Sequence, residues 1–310
     1  MKLIKTLTTA VLAIYMLYPA CARQNVNEKS DFPTFTGKYL GQKTPRTKPL
    51  LFAPQIVSTK EYNDRDLTIS PAGDQLFFAR TKTGKKDDYD YDIMYSEMQE
   101  GIWSEPKKAW FSSSYAEVEA FFTPDGKQLF FNSNRPASGK GEAEHWETWI
   151  IKKEGYSWSA PKLIGPPFER TAHTTFTQNG KMYFHREDTA ALYRATYKNG
   201  IFGQPEKLDP IINSEVQYNC FVAPDESYLI FSKRSQMGGF GSGDLYISFR
   251  NSLGEWDKPL NLGPEINSPA WESCPNVSYD GKFFFFTSSK GGNNDVYWVS
   301  IEFLDQFRPK

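Results

Sequence analysis

Apolar and polar positions along the chain fall into one phrase that recurs five times: a short apolar run, a polar turn, and a second run rich in aromatic residues. It reads Ile69-Ser-Pro-Ala-Gly-Asp-Gln-Leu-Phe-Phe78, then Phe122-Thr-Pro-Asp-Gly-Lys-Gln-Leu-Phe-Phe131, then Phe176-Thr-Gln-Asn-Gly-Lys-Met-Tyr-Phe184. The last two copies are Val222-Ala-Pro-Asp-Glu-Ser-Tyr-Leu-Ile-Phe231 and Val277-Ser-Tyr-Asp-Gly-Lys-Phe-Phe-Phe-Phe286. Asp-Gly or Asn-Gly between such runs predicts a hairpin, because the turn needs a positive φ that Gly and Asn adopt at little cost. A third strand follows each hairpin, at Asp92-Ile-Met94, Glu147-Thr-Trp149, Ala191-Leu-Tyr193, Asp244-Leu-Tyr246 and Asp295-Val-Tyr297. Four of the five units then carry an aromatic residue with Pro three positions on: Trp103 and Pro106, Trp158 and Pro161, Phe202 and Pro205, Trp256 and Pro259. This predicts a fourth strand at an outer edge, where Pro removes no ladder hydrogen bond.

Four strands in roughly 45–55 residues is the size of a propeller blade. The fifth unit lacks its outer strand, while Leu51-Phe52-Ala53-Pro54 precedes the first hairpin and is expected to supply it. The expected fold is therefore all-β: a five-bladed β-propeller of four-stranded antiparallel blades over residues 50–305, closed by an N-terminal outer strand that completes the last blade.

The Ser/Thr-Pro-Asp-Gly-Lys-x-Leu-x-Phe hairpins followed by Asp-x-Tyr resemble the WD-repeat-like units of TolB-type bacterial propellers, which also occur in exported Bacteroidetes proteins. Three copies depart from the motif: Ala72 replaces the turn Asp, Gln178-Asn179 replaces Pro-Asp, and Glu226 replaces Gly. The resemblance implies the fold and leaves the function open, since such propellers serve as scaffolds, peptidase gates and polysaccharide lyases.

Composition agrees with strands and turns. Of 310 residues, 39% are hydrophobic and 16% aromatic, with 22 Gly and 20 Pro, so a core can be filled and long helices are disfavoured. Basic and acidic residues number 36 and 37, which excludes nucleic-acid binding driven by bulk charge. No Gly-rich phosphate loop and no Gly-x-Ser-x-Gly elbow is present.

Two lysines in Met1–Lys5 followed by the apolar stretch Leu7–Ala20 predict a secretory leader over residues 1–22. Ala20-Cys21-Ala22 fits ordinary cleavage, and Leu17-Tyr18-Pro19-Ala20-Cys21 fits a loose lipobox that would leave Cys21 acylated; both stay open. Residues 23–49 read as a polar arm and 306–310 as a tail. The expected location is outside the cytoplasm, periplasmic or at the outer membrane, with membrane contact only through a lipid on Cys21.

Aligning the copies on the turn Asp gives three columns on the inner strands. Three positions before it stand Ile69, Phe122, Phe176, Val222 and Val277; six before, Asp66, Glu119, His173, Asn219 and Cys274; eight before, Asp64, Glu117, Thr171, Gln217 and Glu272. Simple alternation places both polar columns on the face opposite the apolar one, at the strand end facing the central opening. The second strands leave on that side past Arg80, Arg135, Arg186, Arg234 and Lys290, into long loops at Lys82–Tyr91, Pro136–Trp146 and Ser235–Gly243. Asp66, Glu119, His173, Asn219, Arg80, Arg135 and Arg186 are accordingly the ligand-binding candidates, for a glycan or a protein segment held over the opening by a non-catalytic module. The competing structural reading has Glu117 and Glu272 bonding neighbouring blades and the arginines in ion pairs. The enzymatic alternative is a carbohydrate-active glycosidase or lyase using Asp64, Asp66, Glu117, Glu119 or Glu272. No cofactor is expected. No metal is expected either, because His145, His173 and His185 lack ligand spacing and the Asp87-Asp88-Tyr-Asp90-Tyr-Asp92 run reads as a solvated loop. Cys220 and Cys274, on neighbouring inner strands and of opposite parity, are candidates for a disulfide, with two buried thiols as the alternative.

Overall fold

The computed structural model describes residues 32–82, 90–155, 157–234 and 238–309. The leader with Cys21, and Asp87 and Asp88 of the acidic run, lie outside the described residues. Each sequence phrase forms the inner and second strands of one sheet. The inner strands are Asp64–Ile69, Glu117–Phe122, Thr171–Phe176, Gln217–Val222 and Glu272–Val277. They pair in turn with Gln75–Thr81, Gln128–Ser133, Lys181–Arg186, Tyr228–Lys233 and Phe283–Ser288. Third strands at Tyr91–Gln99, Glu147–Glu154, Ala191–Lys198, Asp244–Phe249 and Asp295–Ser300 follow, all antiparallel. Five such sheets, the first four running inner to outer in chain order, make a five-bladed β-propeller, as expected.

Proline shapes the outer strands. In blades one to three the outer strand is split into two-residue halves, Ile102–Trp103 and Lys107–Lys108, Ser157–Trp158 and Lys162–Leu163, Ile201–Phe202 and Glu206–Lys207. Pro106, Pro161 or Pro205 stands between the halves, where a missing N–H and fixed φ interrupt the ladder. In blade four, Leu260–Asn261 follows Pro259.

Ring closure comes from the N-terminal segment: Leu50 pairs with Trp298 and Leu51 with Tyr297. The register differs from the sequence expectation. Tyr297 meets Leu51 as Met94 meets Lys108, Trp149 meets Leu163, Tyr193 meets Lys207 and Tyr246 meets Asn261. The proline equivalent to Pro106 is thus Pro49, and not Pro54. Phe52 then turns inward and is wholly buried, edge-on to Phe285 and Trp298 at centroid distances of 5.3 and 5.2 Å. Tyr39 of the preceding arm packs on Phe283 and donates to Asp280 Oδ1 at 2.7 Å.

The hydrophobic cores lie between blades. Phe77 and Tyr95 of blade one meet Phe122 and Phe131 of blade two, while Tyr183 and Leu192 of blade three meet Cys220 and Phe231 of blade four. Each interface depends on its neighbours, so the seam where the chain ends meet bears on the whole ring. Phe52→Ala leaves a ring-sized void at that seam and is expected to lower unfolding free energy by about 3–5 kcal/mol, read as a drop in the urea midpoint.

Candidate functional site

Every inner strand carries a β-bulge at the same place. The pairings jump between Arg65 and Thr68, Val118 and Phe121, Ala172 and Thr175, Gln217 and Cys220, and Ser273 and Asn276. At the extra residue, Asp66, Glu119, His173 and Cys274 take φ of 61°, 59°, 48° and 52°, in the left-handed region that non-glycine residues enter only at a cost. One added residue reverses the parity of everything before it. Asp64 lies opposite Arg80 while Ile69 lies opposite Leu76, so the eight-before column shares the face of the apolar column. The expectation that it faces away from the core is corrected here.

The members of that column are all fully buried. Each holds the loop that enters its blade. Asp64 accepts from Thr59 N and Oγ1 and from Arg80 Nε. Glu117 accepts from Ser113 N and Oγ and, at 2.6 Å, from the Arg135 guanidinium. Glu272 accepts from Ser268 N and Oγ and from Ser288 Oγ. Gln217 donates to Ile212 O, and Thr171 Oγ1 donates to Phe168 O. Arg80 and Arg135 also lie over the Phe78 and Phe131 rings, while Arg186 pairs with Asp188 at 2.7 Å and covers Tyr193. These three arginines brace blade edges, and the cavity wall is built by other residues.

The six-before column, turned by the bulges, converges on the axis. Asn219 Nδ2 donates to Glu119 Oε1 at 2.7 Å across two blades. Arg65, on blade one, reaches Asp66 Oδ1 with Nε at 2.8 Å, Glu119 Oε1 with Nη2 at 3.3 Å and Cys274 Sγ with Nη2 at 3.0 Å. His173 places Nδ1 3.7 Å from Glu119 Oε1, and its backbone N–H is held by Asn132 Oδ1. Burial alone would raise the Glu119 carboxyl, but the His173 ring and the Arg65 guanidinium bring it down to about 2. Burial pushes His185 down to about 4, so its imidazole is neutral at pH 7.

Above this cluster opens a cavity of about 910 Å³. Its lower wall comes from the seven-before positions Arg65, Val118, Ala172, Tyr218 and Ser273, together with Glu119, Asn219 and His185. Its rim comes from the second-to-third-strand loops and the residues flanking them: Tyr91, Trp146, Glu187, Ser242 and Asn294, with Trp271 just before the last inner strand. The mouth thus lies on the side expected from the long loops. Trp271 stands edge-on to Tyr218 at 5.3 Å and bridges to Gly243 of the blade-four loop, while its backbone N–H donates to Ser289 Oγ. A Cβ on Gly243 would sit 2.8 Å from the indole, so only glycine fits there.

The seven-before column and the four aromatic rings escaped the sequence reading. A bulge without glycine leaves no local signal, and the aromatics sit at unrelated positions of different blades. Of the two readings left open for Cys220 and Cys274, the structure has the buried free thiols and not the disulfide. Cys220 packs with Tyr183 and Leu192 against blade three, whereas the bulge turns Cys274 to the axis beside Arg65.

The sequence matches no protein-family model and no curated protein. Among solved structures, a glycoside hydrolase aligns with TM-score 0.52 and 10% identity over 86% of this chain and 93% of that one. TolB from Acinetobacter baumannii aligns with TM-score 0.48 and 13% identity over 78% of this chain and 52% of that one. A putative TolB from Agrobacterium tumefaciens gives 0.46 and 13% over 73% and 70%. The likeness is one of fold.

Two outcomes test the buried column. Glu117→Ala strands the Arg135 charge in the protein interior and is expected to cost about 3–5 kcal/mol in chemical denaturation. Asp295, at the start of the last third strand, has its carboxyl raised to about 6 by burial and by the charge of Asp64. The folded chain therefore holds this proton more tightly than the unfolded chain, and stability falls as pH rises from about 4 to 6. Asp295→Asn is expected to remove that slope, gaining about 1–2 kcal/mol above pH 6 relative to the parent and nothing below pH 4.

Proposed function

We propose that this propeller is a non-catalytic binding module that takes a glycan chain into the central cavity. The observation that carries the reading is the wall itself: Trp146, Tyr218 and Trp271 offer partly exposed ring surface, while Glu187, Ser242, Ser289 and Asn294 offer hydrogen-bonding groups between them. Sugar rings present apolar C–H faces edged with hydroxyls, which is the complement of that wall. Binding is favoured over hydrolysis because Asp64, Glu117 and Glu272 are buried and engaged by loops, and Asp66 and Glu119 are engaged by Arg65. The leader over residues 1–22 supports action outside the cytoplasm, and no helix among the described residues is long and apolar enough to cross a membrane.

Isothermal titration of the purified chain with soluble cell-wall and plant oligosaccharides tests the proposal. At least one is expected to bind, and Trp146→Ala or Trp271→Ala to weaken it about tenfold, the worth of one aromatic contact. Binding of none of the panel, or equal binding by both variants, overturns it. Release of shorter sugars over time would convert the module into an enzyme.

A further inference from the structure

We propose that Glu119, His173 and Cys274 form a zinc site on the propeller axis, at the floor of the large cavity. Their ligand atoms, from blades two, three and five, lie within 4.8 Å of one another. A tetrahedral zinc site with bonds of about 2.0–2.3 Å spaces its ligands roughly 3.3–3.8 Å apart, so a shift of about 1 Å closes this one. Between them is a cavity of about 10 Å³, the size for one water or one ion, lined also by Asp66.

The polar groups around it are buried and incompletely bonded in a consistent direction. His173 is 94% buried on its 6% exposure, and neither ring nitrogen has a hydrogen-bond partner. Glu119 Oε1 is occupied by Asn219 and Arg65, while Oε2 has none; Asp66 Oδ1 is occupied by Arg65, while Oδ2 has none. Orphaned buried acceptors of this kind are costly and rare. A divalent cation gives the imidazole and both free oxygens a partner. Charge points the same way. One guanidinium faces two carboxylates, leaving the buried cluster one negative charge in excess. Zinc binding that expels the Cys274 thiol proton to solvent restores neutrality, with Arg65 beside the resulting thiolate.

The outer partners of a metal site are in place as well. Asn219 and Arg65 orient Glu119, and Asn132 fixes the His173 backbone. Glu119 lines both the small cavity and the large one, which places the site directly beneath the open cavity. Donors of nitrogen, sulfur and oxygen type suit zinc over magnesium or calcium. Because the ligands stand 54 and 101 positions apart in the chain, no local spacing announces them.

The test is independent of any glycan. The full chain is stripped with a chelator, given zinc or cobalt(II), desalted, and its metal measured. One ion per chain is expected, with thiolate-to-cobalt charge-transfer absorption in the near ultraviolet. His173→Ala and Cys274→Ser are each expected to weaken binding more than about 100-fold, since losing even an outer partner costs about 10–100-fold. Cys220→Ser is expected to change nothing. Should the variants fold poorly, X-ray absorption of the zinc-loaded parent decides alone: one sulfur at about 2.3 Å with nitrogen and oxygen neighbours supports the site. A parent that retains no zinc, or a metal shell without sulfur, overturns it.

Discussion

The bulge near the start of each inner strand is the constraint from which the site follows. A flat strand sends its side chains alternately to the two neighbouring blades and none to the axis. Inserting one residue in the left-handed region at Asp66, Glu119, His173 and Cys274 breaks that alternation and aims four side chains at a common point. Each such residue costs on the order of 1 kcal/mol, and the cost is met by what surrounds it. Asn132 accepts from the His173 N–H, and the Asp66 N–H donates to Thr287 Oγ1, so a neighbouring blade bonds to the distorted backbone in both cases. Strain on the axis is thereby coupled to contact between blades.

The same bulge divides the polar residues of the inner strands into two populations with different work. Residues before it, headed by Asp64, Glu117 and Glu272, fall on the core-facing side and are saturated by loop N–H groups, hydroxyls and arginines. Residues at it meet one another around Arg65 and keep acceptor atoms without partners. Two carboxylates a single residue apart, Asp64 and Asp66, thus become a loop clamp and a group lining the small axial cavity. Sequence proximity says nothing about this division.

A ring has no free end in which to relax, and its closure is made by chain termini. The Leu50–Leu51 pairing with Tyr297 and Trp298 is short, and its weight is carried by Phe52 and Tyr39 packed on the Phe283–Phe285–Trp298 cluster. Burial of these rings supplies the attraction that two ladder pairs alone do not. The cavity sits over the axis of this closed ring, so the geometry of the seam is part of the geometry of the site.

The hairpin phrases, the proline three positions past each outer aromatic and the missing fifth outer strand determined the blade architecture and the closure by the N-terminal segment. These are local signals: turn chemistry, alternation and the missing N–H of proline act within a few residues. The side on which the mouth lies was equally legible, because loop length is written in the chain. Which residues face the axis was not. That depends on a one-residue insertion made by Asp66, Glu119, His173 and Cys274, none of which is a glycine that would have marked it, and a one-residue shift reverses every facing before it. The register of the closing strand, Pro49 and not Pro54, and the parting of Cys220 from Cys274 were decided by packing between segments tens to hundreds of residues apart, and only the assembled ring brings those segments together.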